Sequence, residues 1–292
     1  NLLDKLPVIY VNGIKINSQD ELAALLPKNI ESIEVDYLAI GEGATTKGGV
    51  IRIKTKKEKD GGYSGYLGLK AGAMASYGYN SSSPTFVFDA SVGKWTFNYY
   101  AVNQHRRLIE DATYNYLYDS GLKTNTASET RSWANNFGNR LNISYEINNR
   151  STLAISEYVG NVNIKNRQNS FVETVLGDDQ DAQESNTLIH GPESQFVQQT
   201  VAKYVLATDD KGSSLEVTAD YYHQNHHLTQ MEDKDDVRTY ENSTYEKTNM
   251  FQFYPKYTHK FNGGKELVAG ADYQFIGYND ETDGLRNNAD AH

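Results

Sequence analysis

The chain has no cysteine, five prolines and three methionines in 292 residues. Without thiols there is no disulfide framework, no thiolate metal site and no cysteine nucleophile. Basic residues are outnumbered, 28 Lys and Arg against 38 Asp and Glu, for a formal net charge of −10. That balance argues against a phosphate-backbone binder, so no nucleic-acid partner is expected. No apolar run reaches the roughly 18 residues a membrane-spanning helix needs. Strands that cross a membrane are not excluded, because they alternate apolar and polar residues and give no hydropathy peak. G-x-S-x-G, P-loop and H-E-x-x-H patterns are also missing, and no spacing singles out one pair of carboxylates. Neither a catalytic residue nor a cofactor is therefore expected, and the chain does not read as an enzyme. The abundant residues are 22 Tyr and 23 Gly, the composition of a Tyr-rich sheet protein.

The first 57 residues differ in texture from the rest. Val8 to Val11 is a short β-branched and aromatic run closed by Asn12-Gly13, a turn dipeptide. Ser18 to Glu21 has the spacing of a capping box, Leu22, Leu25 and Leu26 supply one apolar stripe, and Pro27 is a stop, which predicts a helix over 18–26. Strands are predicted near 30–35 and 50–55, separated by a loop holding Gly41, Gly43, Gly48 and Gly49. The order β-α-β-β is a small α+β unit, too short to bury a good core alone.

From Gly61 onward every segment reads as strand. Phe137, Leu141, Ile143, Tyr145 and Ile147 share one face while Arg140, Asn142, Ser144 and Glu146 share the other. The same alternation runs through Leu215–Tyr221 and Phe251–Phe261, so each strand has one apolar and one polar side. About nine strands are expected, near 63–78, 84–93, 95–107, 131–147, 151–166, 194–208, 213–229, 246–262 and 266–279. Tight turns at 93–94, 148–150, 209–212 and 262–265 alternate with longer polar loops at 108–130, 167–193 and 230–245; the first loop of that set, near 79–83, is shorter. Tight turns on one side and long loops on the other are the pattern of a membrane barrel. Aromatic pairs such as Tyr99-Tyr100 and Tyr221-Tyr222 fall toward strand ends, where interfacial girdles sit. The expected fold is therefore mainly β: a partial transmembrane antiparallel β-barrel over 58–292, preceded by a small α+β segment over 1–57. The apolar sides, among them Leu141, Ile143, Tyr145, Leu215, Val217, Phe253 and Phe261, are expected to face lipid.

Three ordered motifs carry a resemblance: Leu6-Pro7-Val8-Ile9-Tyr10-Val11-Asn12-Gly13, then Leu25–Val35 with Pro27-Lys28-Asn29-Ile30-Glu31-Ser32-Ile33-Glu34-Val35, then Gly48-Gly49-Val50-Ile51-Arg52-Ile53-Lys54-Thr55. Together they resemble the second half of the plug domain of TonB-dependent outer-membrane receptors, where such a strand leads straight into the barrel. Residues 36–39 and 42–45 depart from the pattern of large sugar importers, and the chain looks more like shorter-plug relatives, so a glycan is not assumed. Family barrels have 22 strands, and the first half of the plug and the TonB box are not in this sequence, so the chain reads as a fragment. The resemblance implies a receptor that takes up a nutrient ligand (glycan, siderophore or peptide) across the outer membrane of a Gram-negative bacterium. The partners it implies are outer-membrane lipid, a TonB-type periplasmic energy-coupling protein, a small ligand and a surface lipoprotein. The alternative is a structural or adhesive outer-membrane barrel without transport.

Two side-chain groups invite a metal reading. His223, His226 and His227 form an H-x-x-H-H run followed by Glu232, Asp233, Asp235 and Asp236. On a strand, 223 and 227 share a face and 226 points away, so at most two chelate together. The acid run Asp178-Asp179-Gln180-Asp181 lacks the spacing of a calcium loop. Both groups read better as solvated loop residues, and no metal ligand is expected. Asp89, Arg140, Glu146, Asp220, Lys256 and Asp272 are placed on the polar sides, lining a wet lumen.

Overall fold

The structure, a computed structural model, describes residues 7–11, 14–16, 22, 25, 27, 30–36, 49–55, 62–74, 79–176 and 182–286. It is almost entirely strand, in two sheets.

The small sheet comprises β1 (Val8–Val11), β2 (Ile14–Lys15), β3 (Ile30–Asp36) and β4 (Val50–Thr55), in the order β2-β1-β4-β3. β1 and β4 run parallel, with Val8 opposite Val50, and the other pairs are antiparallel. Tyr10, Val50 and Ile53 are its buried residues. The three predicted strands are present. The predicted helix over 18–26 lies mostly outside the described residues; within it Leu22 is helical, and the Leu25 N–H donates to the Leu22 carbonyl at 3.1 Å.

The large sheet is antiparallel throughout and follows chain order. It consists of β5 (Gly62–Met74), β6 (Tyr79–Val92), β7 (Trp95–Leu117), β8 (Leu122–Asn148), β9 (Ser151–Leu176), β10 (Gln183–Ala207), β11 (Ser214–Lys234), β12 (Val237–Lys260), β13 (Glu266–Gly270) and β14 (Tyr273–Arg286). Ten strands fill nine lanes, because β13 and β14 pair with β12 in one continuous register: Gly270 lies opposite Lys256 and Tyr273 opposite Phe253. The interruption has a local cause. Pro255 lies between those partners and has no N–H to donate, so Ala271 gives a bond to the Pro255 carbonyl at 3.1 Å and receives none from Pro255. Among the described residues β5 and the β13/β14 lane are unpaired edges.

The expected long loops are not loops. β7 and β8 run on through 108–117 and 122–130, β9 and β10 through 167–176 and 183–193, and β11 and β12 through 230–234 and 237–245, reaching 27 residues in β8. What joins β7 to β8 is the short turn at 118–121, with Gly121 at φ 84°. β11 returns into β12 through Asp235 and Asp236, both at positive φ, a conformation Asp tolerates better than most residues. The stretch 79–83, expected as a loop, belongs to β6. The extensions carry no sustained alternation to betray them, yet their ladders continue, broken in β10–β11 at Gly191 and Pro192 and shifted in β11–β12 at Glu232/Asp233. Asn115 faces Asn125, and Thr124 faces Thr174.

Tight turns close the opposite ends. In the turn 208–213 the Asp209 carboxylate is hydrogen-bonded by Ser213 and by the Lys211 N–H, which pulls its pKa down to about 2.

Candidate functional site

Paired residues in an antiparallel ladder share a face, so the register assigns every side chain of the large sheet to one side or the other. One row reads Phe97, Ile143, Ile155, Ala202, Ala219, Phe253 and Tyr273 across seven lanes. The row beside it, on the opposite side, reads Asp89, Asn98, Asn142, Ser156, Val201, Asp220 and Gln252. Burial separates the two sides in the reverse of a soluble core. Arg140 is 4% exposed and its neighbour Leu141 is 39% exposed; Ser156 is fully buried and Ile155 is 47% exposed. Side chains crowd on the inside of a curved sheet and spread on the outside. The polar side is therefore concave, and the apolar side is convex and open.

All six residues expected to line a lumen, Asp89, Arg140, Glu146, Asp220, Lys256 and Asp272, lie on the concave side. They are tied across strands. The Arg140 guanidinium donates to Ser156 Oγ at 3.0 Å and lies over the Tyr158 ring at 5.1 Å. Glu216 sits between Lys203 (2.9 Å) and Lys256 (3.5 Å), Gln199 donates to Asp220 at 2.8 Å, and Gln252 donates to Asp272 at 2.9 Å. Asn142 donates to Asn98, which in turn donates to Asp89. Buried charges are tolerable only when paired in this way.

Beyond the paired charges the same side opens into a cleft of ≈390 Å³. Its shape follows from three rows of the register. One row holds Tyr100, Tyr158 and Tyr222, the next the small residues Gly138 and Gly160 between Val102 and Val197, and the next Gln104, Asn136 and Gln195. The middle row is too short to fill the space between phenols and amides. Gly160 also lets Tyr158 lie across it: a Cβ there would stand 2.6 Å from the phenol oxygen. Tyr66 covers Gly68 in the same way, the ring of one residue shielding the backbone of a glycine two positions on. The lining offers hydroxyls, carboxamides and aromatic faces, and none of its residues is charged.

The histidine run divides as its spacing requires. His223 and His227 are on the convex side, where His223 Nδ1 bonds Asn249 at 2.8 Å and His227 stacks on Tyr245 at 4.0 Å. His226 is on the concave side between two carboxylates, Nε2 to Glu193 at 3.1 Å and Nδ1 to Glu246 at 3.1 Å. Carboxylates only accept, so both bonds exist at once only in the imidazolium form. Of the acid run, Asp233 is held by Arg238 and His190, Glu232 meets Thr239, and Asp235 and Asp236 form the turn. Among the described residues no group of three or more His, Asp or Glu is placed to hold a metal ion. Asp178, Asp179 and Asp181 lie outside the described residues.

Sequence reasoning missed the cleft, although Tyr158-Val159-Gly160 carries its signal, and it missed the His226 bracket, whose three members are far apart in the chain. It also missed Glu157, a carboxylate on the convex apolar side between Leu141 and Thr200. Gln198 donates to it at 2.8 Å, and so does Thr200.

No family model and no curated protein matches the chain. Among solved structures it is similar to the ferric yersiniabactin uptake receptor FyuA from Yersinia pestis, at 11% identity over 95% of this chain and 52% of that one, TM-score 0.39. It is similar to the ferric citrate transporter FecA at 11% identity, over 99% of this chain and 53% of that one, TM-score 0.34. A third is the ferric-catecholate import receptor Fiu from E. coli K12, at 9% identity over 98% of this chain and 61% of that one, TM-score 0.25. The chain spans little more than half the length of these receptors, and the scores fall below the level at which a common fold follows.

Proposed function

We propose that the chain is part of an outer-membrane β-barrel receptor that admits a small polar nutrient ligand. Its large sheet is barrel wall over 58–292, and its small sheet is plug over 1–57. The carrying observation is the inverted burial from β6 to β12, paired charges inward and apolar side chains outward. In water the exposed apolar side would be a contiguous patch far beyond what a soluble monomer leaves open. In a bilayer it is the correct solvent match.

The height of that side fits. The two tryptophans of the chain both point outward, Trp95 opposite Tyr145 on β8 and Trp133 on β8 itself. They are separated by 145 − 133 = 12 residues of strand, roughly 40 Å at ~3.4 Å per residue. A tilt of about 40° leaves roughly 31 Å along the membrane normal, close to the ~30 Å of a hydrocarbon core. Trp is favoured at both interfaces. The strands then continue well past Trp133, while the cleft rows and the His226 row meet β8 at 136–140, between the two tryptophan levels.

Within this reading the uncharged cleft lined by Tyr100, Tyr158, Tyr222 and Gln195 is the ligand-facing surface, and a TonB-type periplasmic protein supplies the energy. The test is a deletion strain assayed for uptake of iron chelates, oligosaccharides and peptides, with and without a protonophore. The expected result is loss of one energy-dependent uptake, with the protein recovered in the outer-membrane fraction. Unchanged uptake of every class with the protein still in that fraction supports the adhesive alternative. Recovery in the soluble fraction refutes the membrane reading.

A further inference from the structure

The convex side carries a second feature, directly beyond the apolar belt at the longer-strand end. One row holds Arg107, Trp133 and Lys165, and the next row Arg131, Arg167 and His190. Five basic groups and a tryptophan thus stand on two consecutive rows of four adjacent strands, in a chain whose net charge is −10. The first of these rows is four residues beyond Phe137, the outermost belt residue of β8, or roughly 13 Å along the strand. That height is where a bilayer changes from hydrocarbon to headgroup. Arg107 lies over the Trp133 ring at 5.8 Å, an arrangement that holds both at the interface. Arg131 is bound to Glu129 at 2.7 Å, and His190 to Asp233 at 3.1 Å. Lys165 and Arg167 are exposed and have no ion-pair partner among the described residues. A recess between β8 and β12 lies beneath them, lined by Trp133, Lys165, Arg167, His190, Met231 and Arg238.

We propose that this cluster docks the phosphate of a lipid headgroup in the leaflet at the longer-strand end, with Lys165 and Arg167 as the primary contacts and Arg107 and Arg131 flanking them. The occupant follows from continuity and charge. Apolar rows immediately below accept the acyl chains of the same molecule, and unpaired cations at headgroup height attract an anion there. A free anion would gain nothing from the adjoining apolar rows. The inference rests on the barrel reading above.

The test uses the intact protein reconstituted into phosphatidylcholine vesicles, with or without phosphatidic acid as the phosphate-bearing probe. Lipid retained on the protein after mild detergent extraction is counted by native mass spectrometry. The expected result is selective retention of phosphatidic acid, weakened about tenfold or more by the double substitution Lys165→Glu and Arg167→Glu and by raised salt. Arg150→Glu, at the opposite turn end, should leave retention unchanged. Equal retention by the double variant, or equal retention of phosphatidylcholine, overturns the inference while leaving the barrel reading intact. So does displacement of the lipid by inorganic phosphate at comparable concentration, which marks a site for free anions. Failure of the unmodified protein to enter vesicles overturns both.

Discussion

Two phenylalanines provide a matched test of the membrane assignment. Phe253 on β12 and Phe171 on β9 are both on the convex side and both 39% exposed. Phe253 lies inside the apolar belt, in the row with Ala219 and Tyr273, and no acidic side chain occupies its own row or the next convex row at Tyr221, Phe251 and Phe275. Phe171 lies 171 − 159 = 12 residues beyond Val159, opposite Ala127 and Asn186, on the polar extension. In water, Arg at two sites of equal exposure and identical parent residue should cost nearly the same, within about 0.5 kcal/mol. In a bilayer, Phe253→Arg places a charge in the belt two residues along the strand from the Trp95 level, at a cost between the about 0–1 kcal/mol of the interface and the about 2–4 kcal/mol of the midplane, while Phe171→Arg remains in water. The assay is the folding equilibrium of the intact protein into lipid vesicles, titrated with denaturant and followed by fluorescence of Trp95 and Trp133. A gap of about 1 kcal/mol or more between the variants is expected. Equal costs would show that the convex side meets the same solvent along its whole length, and the barrel assignment would fall.

Other consequences are testable separately. Gly160→Val should force the Tyr158 ring out of its seat, costing about 1–3 kcal/mol by overpacking and abolishing ligand uptake; Gly65→Ala, whose added carbon meets a backbone oxygen at 3.4 Å, should be tolerated, and equal uptake by both variants would disconnect the cleft from transport. Both bonds of the His226 bracket need the imidazolium form, so the bracket is complete at acidic pH and is lost as the ring gives up its proton. Amide exchange in β10–β12 around 193, 226 and 246 should therefore quicken between mildly acidic and alkaline pH; the increase should vanish in His226→Gln, and its persistence there would refute the bracket. Residues 1–292 expressed alone should associate or require detergent, since both edges of the large sheet are open among the described residues; a dispersed monomer in plain buffer would contradict this.

The parts of the fold legible in the sequence are those where the two sides of a strand face different solvents. Leu141 and Ile143 against Arg140 and Asn142 announce a strand and its orientation together, and the nine lanes follow from repeating that signal. Where both sides are wet, as from Glu110 to Asn115 or Thr124 to Glu129, the signal disappears although the ladder continues, and the local pattern there is that of a loop. Pro255 was hidden for the opposite reason: strong alternation from Phe251 to Phe261 masked the missing donor that splits β13 from β14. The lumenal residues were legible by parity alone, since Asp89, Arg140 and Asp220 needed only their side of the strand to be assigned. The cleft was not, because it depends on which small residue lies next to which aromatic one strand away. Gly138 beside Gly160 is a fact of register, and register between residues 160 − 138 = 22 positions apart is not written in local pattern.

Register alone cannot say which side of a sheet is inside; curvature decides it. If the apolar side were concave, Leu141, Ile155 and Phe253 would be the buried residues, and Arg140, Asp220 and Lys256 would stand in bulk water without need of partners. The reverse holds. Ser156 and Arg140 are buried, and the charges beside them are matched one to the next, as in Lys203–Glu216–Lys256. Such matching gains little on an open surface, where ion pairs contribute roughly 0–1 kcal/mol, and becomes necessary where water is scarce. Glu157 sharpens the argument from the convex side. The carboxylate that breaks the apolar belt is held by Gln198 and Thr200 on the neighbouring strand, which supplies locally the hydrogen bonds that hydrocarbon cannot.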